Sequence, residues 1–326
     1  MYTHQNGFVE DCCYDFNHVE EVIKEIRINF KQYFEKFVET DGGTLLTSKE
    51  FAELKKKFKI STSASSKSNY KSNFKTLILE AYEDFEKDRQ KYFELFDMEN
   101  LEESEDDPAQ FKAKTLKLEC PIIHATLFNK RAKELEKYRR DFSLSDPDEL
   151  LSVITNLSEF AREYIEGIYA EENYDEIDCY EDMCLGELDT EDYTVYGVIG
   201  GGIKSHMLYK VQPSTFPNRS RSAIWAFWFL TDKKSFGCEM DSEFIMIDLD
   251  KNIVQQNYFY PYELFAFYAY QIYLLLKEKA EECDIYINSE YRYVVVDRFL
   301  KFVADEHDEE ISFLKSQIRD GGMGYV

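Results

Sequence analysis

Clustered histidines, regularly spaced cysteines, proline, tryptophan and long apolar runs are all scarce in this 326-residue sequence. Its seven Cys, at 12, 13, 120, 179, 184, 238 and 283, are odd in number and scattered through a chain large enough to hold itself together by its core. Reduced thiols are expected rather than a disulfide framework. The five His, at 4, 18, 124, 206 and 307, are isolated, and only the adjacent Cys12-Cys13 comes near a zinc-ligand spacing. No metal and no cofactor is therefore expected. Neither GxGxxG nor GxxxxGK[ST] occurs, which removes the common phosphate loops. No uncharged apolar run reaches the roughly 18 residues of a membrane span, and MYTHQNGFVEDCC has acidic and polar residues where a signal peptide is basic and then apolar. The sequence thus predicts a cytoplasmic protein without a membrane partner.

Positive charge is short as well. With 39 Lys and Arg against 64 Asp and Glu the formal charge is −25, which turns the first expectation away from a basic nucleic-acid binder. The cations are nevertheless gathered: residues 49–75 hold eight Lys against Glu50 and Glu53, and 111–140 hold nine Lys and Arg against three Glu. Acids concentrate in 97–107, 159–193 and 305–310, so a surface divided into patches of opposite sign is expected. What the chain has in plenty is apolar and aromatic surface, 44% and 16% of residues, enough to offset chain entropy and fold. The length allows one large or two ordinary domains, and two are favoured.

Apolar residues recur at three and four over 19–38 and again from Phe74 to about Leu95, predicting amphipathic helices. Thr47-Ser48 before Glu50 is a cap signal for a short basic helix to about Phe58, and STSASSKSNYKSN at 61–73 reads as a loop. MENLEESEDDP at 98–108 reads as an acidic linker. A helix broken near Pro121 is predicted over 111–141, and Asp146-Pro147 opens another over 148–170. The acid-rich 171–193 is expected as a loop. Further on, Glu243–Asp250 and Ile253–Tyr260 alternate as a hairpin, 262–282 reads as an aromatic helix, Tyr291–Val296 as a strand and Phe299–Ile318 as a last helix. The expected fold is α+β: mainly helical, with a small antiparallel sheet in the C-terminal half. Its expected divisions are 1–97, helical with a Lys-rich segment; 98–108, linker; 109–192, helical and ending in the acidic loop; and 193–326, an α+β domain.

The most informative stretch is YTVYGVIGGGIKSHMLYKVQPSTFPNRSRSAIWAFWFLT at 193–231. Gly200, Gly201 and Gly202 precede a helical pattern, and a helix that starts after glycines offers free N–H groups and a positive dipole end to a phosphate oxygen. Lys204 adds charge beside it. IGGGIKS at 199–205, with FPNRSRSAIWAF at 216–227, resembles the helix-hairpin-helix element of DNA repair glycosylases and other DNA-handling proteins. The resemblance covers about forty residues and implies contact with backbone phosphates through Gly200, Gly201, Gly202, Lys204 and Ser205, with His206, Arg219 and Arg221 nearby. The Asp that such glycosylases carry after the downstream Pro is missing from Asn218–Ser222, so base excision is not implied. The bland alternative is that three glycines simply permit a tight turn under the Trp225/Trp228 helix.

Other chemistry is thinner. Asp241, Glu243, Asp248 and Asp250 suit Mg²⁺ but read more simply as solvated strand ends. His206, beside the bend, has the chemistry of a general base or phosphate donor, or is a half-buried helix residue. Two functions follow. One is a DNA-associated protein of a nucleic-acid processing or defence system, holding phosphates at 199–205 with help from the Lys-rich segments. The other is an acidic interaction or regulatory module, without catalysis, that presents carboxylates to a basic protein partner or imitates the charge of DNA.

Overall fold

The helices form where apolar residues share one face. In α1 (Phe16–Glu39) Val22, Ile23, Ile26, Phe30, Tyr33, Phe34 and Phe37 are all buried, and the Asp15 carboxylate accepts the backbone N–H groups of Asn17 and His18 at 3.0 and 3.2 Å. The computed structural model describes residues 3–4, 7–8, 13–39, 66–129, 132, 135–169, 174–236, 244–248, 253–257 and 260–316. The Thr47-Ser48 helix and most of the first Lys-rich segment lie outside these residues, as do Asp241, Glu243 and Asp250.

Two stretches expected as irregular are helical. α2 (Ser66–Glu86) takes in much of the Ser/Lys/Asn-rich stretch, while Phe74, Leu77, Ile78, Ala81 and Phe85 bury its apolar face. α3 (Arg89–Leu95) and α4 (Met98–Ser104) follow, so the acidic block at 98–108 is ordered through most of its length. There the Asp97 side chain caps α4 by accepting from Asn100 N at 3.0 Å, and Glu99 sits favourably at the positive helix end. Leu101 is buried.

Pro121 ends the helical run over Phe111–Glu119 and opens α5 (Pro121–Phe128), as a residue without an N–H can do only in a first turn. α6 (Glu136–Leu144) and α7 (Pro147–Glu163) come next, the latter capped by Asp146. Between α7 and the glycine bend the acidic segment winds through three short 3₁₀ turns, Glu181–Met183, Gly186–Asp189 and Glu191–Tyr193. Met183, Leu185 and Leu188 anchor it inward.

The C-terminal half supplies the central core. α8 (Gly201–Val211) leads to α9 (Arg221–Leu230), which is buried without interruption from Ala223 to Leu230. α10 (Tyr262–Glu282) is likewise buried from Leu264 to Tyr273, and α11 (Arg292–Glu306) packs against α1, α2, α9 and α10. α12 (Asp308–Ser316) closes the described chain.

The α+β expectation is corrected here: the fold is all-α. The expected hairpin is present, with Ile245–Asp248 antiparallel to Ile253–Gln256, but it has two four-residue strands and among the described residues joins no larger sheet. The other extended pairings among the described residues are Thr3–His4 with Gly7–Phe8 and the single bridge between Val195 and Ile199. Tyr291–Val296, expected as a strand, forms the last residue of a 3₁₀ turn and the start of α11. Its Val-Val-Val run favours a strand locally, yet Tyr293 to Val296 are all buried among helices, and that packing outweighs the propensity. No described helix is long and apolar enough to cross a membrane.

Phe299 is fully buried, its ring 5.1 Å from Phe30 and 5.5 Å from Phe37, so it joins α11 to α1. Phe299→Ala is expected to cost about 3–5 kcal/mol in urea unfolding, whereas Leu79→Ala at an exposed position should stay within about 0.5 kcal/mol. Equal losses at the two positions would contradict this placement of the core.

Candidate functional site

The glycine bend is a tight loop followed by a helix start. Val195 N donates to Ile199 O at 3.1 Å and Ile199 N returns to Val195 O at 2.8 Å, with Gly197 at a positive φ of 79° between them. A side chain at 197 would be strained by that φ and would also meet the Asp141 carboxylate of α6. Gly200 is extended and acts as the N-cap of α8, its carbonyl accepting from Ile203 N and Lys204 N at 3.0 Å each. An added Cβ at Gly200 would meet nothing within 4 Å, so one flank of the bend is open.

The structure brings Gly201, Gly202, Ser205 and Arg219 together. The Arg219 guanidinium lies against the first turn of α8, where a Cβ on Gly201 would clash with Nη1 unless the guanidinium shifted. Arg219 N donates to Ser205 Oγ at 3.1 Å, its Nη2 donates to Asn257 O at 2.8 Å, and Ser205 Oγ donates to Gly202 O at 3.2 Å.

The remaining predicted residues diverge. Lys204 turns inward and donates to the Leu188 carbonyl and to Thr194 Oγ1, and it is only 4% exposed. Its ammonium therefore fastens the acidic 3₁₀ segment to α8. His206 packs between Tyr92 and Tyr209, with ring centroids 5.7 and 6.1 Å away. Burial pushes its pKa down to about 4, so it is neutral near pH 7 and weak as a base. Arg221 is exposed in the first turn of α9, a helix capped by Ser220.

Lys204 and Arg219 belong to a wider pattern. The least exposed charged side chains among the described residues are Lys204, Lys210, Arg219 and Arg292, all cations, while Asp297 of α11 is a partly buried carboxylate. Lys210 donates to Phe85 O at 2.9 Å and to Asp88 at 2.6 Å, and its ammonium lies 4.5 Å from the centre of the Phe85 ring. Arg292 donates to Ser214 O at 2.6 Å between the faces of Tyr174 and Tyr273, at 4.1 and 4.9 Å. Carbonyls and aromatic faces thus replace most of the water these cations lose.

Asn218, Asp297, Lys210 and Arg292 were not picked out from the sequence. Asn218 Nδ2 donates to Asp297 Oδ1 at 2.9 Å, linking the loop before α9 to α11. Burial pushes the Asp297 carboxyl up to about 6, against the opposing pull of Asn218, Lys210, Lys301 and Arg298. The available signal was a lone cation inside an aromatic run, as in MLYKV at 207–211 and YRYVVV at 291–296. No group of three or more His, Cys, Asp or Glu suited to a metal occurs among the described residues.

These two shifts act on stability in opposite directions. The neutral His206 stabilises fully above its unfolded value of 6.5, and the contribution is lost as pH falls toward about 4. For Asp297 the contribution is present below the unfolded 3.8 and lost as pH rises through about 6. Asp297→Asn, which keeps an acceptor for Asn218, is therefore expected to gain on the parent protein by about 1–2 kcal/mol as pH rises from roughly 4 to 7. Urea unfolding across that range checks this; a difference that does not change with pH contradicts it. In comparisons with known proteins, no family model, no curated protein and no solved structure matches the chain.

Proposed function

We propose that the protein is a non-catalytic acidic binding module that presents carboxylates to a basic protein partner. One observation carries this reading: Lys204, Lys210 and Arg219 are turned inward while every described acid of 175–192 faces solvent, so the described surface is more negative than its residue count alone implies. Glu176, Asp178, Glu181, Asp182, Glu187, Glu191 and Asp192 are exposed on a segment held by Tyr164, which donates to Met183 O at 2.7 Å, by Lys204, and by Asn156, which donates to Asp192 O at 2.8 Å. Carboxylates on a braced scaffold lose little freedom when a partner binds. The second basic segment also spends cations internally: Lys112 donates to the Ser143 and Ser145 carbonyls, and Arg139 to those of Asn129 and Ala132.

A second reading, contact with DNA phosphates at the bend, draws on the open flank of Gly200 and the guanidinium of Arg219 beside Gly201. It is the weaker one, because Lys204 points away and Arg219 is 6% exposed.

Titration with a Lys-rich peptide and with duplex DNA, at about 50 and 200 mM salt, separates the two. The expected outcome is peptide binding that weakens with salt, no duplex binding, and roughly tenfold weaker peptide binding for the combined Glu176→Gln, Asp178→Asn and Asp192→Asn variant. Duplex binding that Gly202→Asp abolishes would overturn the acidic reading in favour of the second.

A further inference from the structure

Between α1 and α10 lies a groove of about 310 Å³ lined by Arg27, Gln271, Leu274, Leu275 and Glu278. Its polar groups are left over from folding. Gln271 is 6% exposed within the most apolar stretch of α10, and its polar end opens on the groove. Its oxygen accepts from Arg27 Nη2 at 2.9 Å, but its amide nitrogen has no hydrogen-bond acceptor among the described residues. Arg27 is exposed and has no carboxylate within 4.0 Å among those residues. Among the described residues Glu278 comes no closer to a cation than 4.0 Å from Lys279, which pairs more tightly with Glu282 at 2.6 Å.

The order of these groups along α10 defines a ligand. Positions 271, 274, 275 and 278 share one helix face, with about 10 Å between the first and last backbone positions. N–H donors and positive charge mark one end, two half-buried leucines the middle, and a carboxylate the other. We propose that this groove binds a small, elongated zwitterion. Its carboxylate sits between the Arg27 guanidinium and the Gln271 amide, its methylene chain lies on Leu274 and Leu275, and its ammonium meets Glu278. A neutral apolar molecule would leave both ends unpaired, and a simple carboxylate would leave the negative end unanswered.

The test uses the full chain with 6-aminohexanoate, hexanoate and hexylamine as probes, followed by calorimetry or by shifts of amide resonances. For a ligand of this size on an open groove a dissociation constant on the order of 1 mM is expected, well within the ligand-efficiency ceiling. The expected order is 6-aminohexanoate tightest, with hexanoate and hexylamine at least about fivefold weaker, in line with the loss of one charge-assisted contact. Arg27→Met keeps the side-chain stem and should abolish 6-aminohexanoate binding, while Glu278→Gln should reduce it to the level of hexanoate. Both positions face solvent, and an unchanged melting temperature verifies that each variant folds. Absence of saturation up to about 20 mM, hexanoate or hexylamine binding as tightly as 6-aminohexanoate, or unaltered binding by Arg27→Met would overturn the proposal.

Discussion

Cations drawn into the interior and held on backbone carbonyls are the interaction on which the rest of this structure depends. Burying a positive charge is costly, and the cost is offset here by carbonyl oxygens of Leu188, Phe85, Asn257 and Ser214, by the faces of Tyr174, Tyr273 and Phe85, and by the carboxylates of Asp88 at Lys210 and Asp175 near Arg292. The surrounding charge helps as well. A chain of formal charge −25 creates a negative potential that favours an internal cation over an internal carboxylate, and the buried charges follow that sign.

Each of these cations also joins parts of the chain far apart in sequence. Lys204 ties α8 to the acidic 3₁₀ segment, Lys210 ties it to the end of α2, Arg219 reaches the residue after the second hairpin strand, and Arg292 fixes the start of α11 to the loop after α8. Around these ties α9, α10 and α11 are buried over long stretches. These four positive charges thus serve the fold, while the acids of 175–192 are left facing solvent.

Much of the helical pattern was legible because burial on one side leaves a three-and-four spacing, as in α1 and α7. The hairpin at 245–256 was legible for the matching reason, alternation. Where the reading went astray, packing overrode local preference. Val294–Val296 favours a strand but is surrounded by helices, and the polar start of α2 carries no apolar signal of its own. The bend shows the limit most clearly. Three glycines before a helix are compatible with an anion or with a close side chain, and only the coordinates place the Arg219 guanidinium against Gly201. The inward turn of Lys204 is equally hidden in a charge count, which carries no direction, whereas Lys210 left the trace of a lone cation in an aromatic run.

Chemical labelling of lysines on the native protein, read by mass spectrometry, tests this arrangement most directly. Lys204 and Lys210 should resist acetylation while Lys87, whose side chain is 72% exposed, reacts readily, and all three should react alike in urea. Native-state modification of Lys204 at the rate of Lys87 would contradict the account.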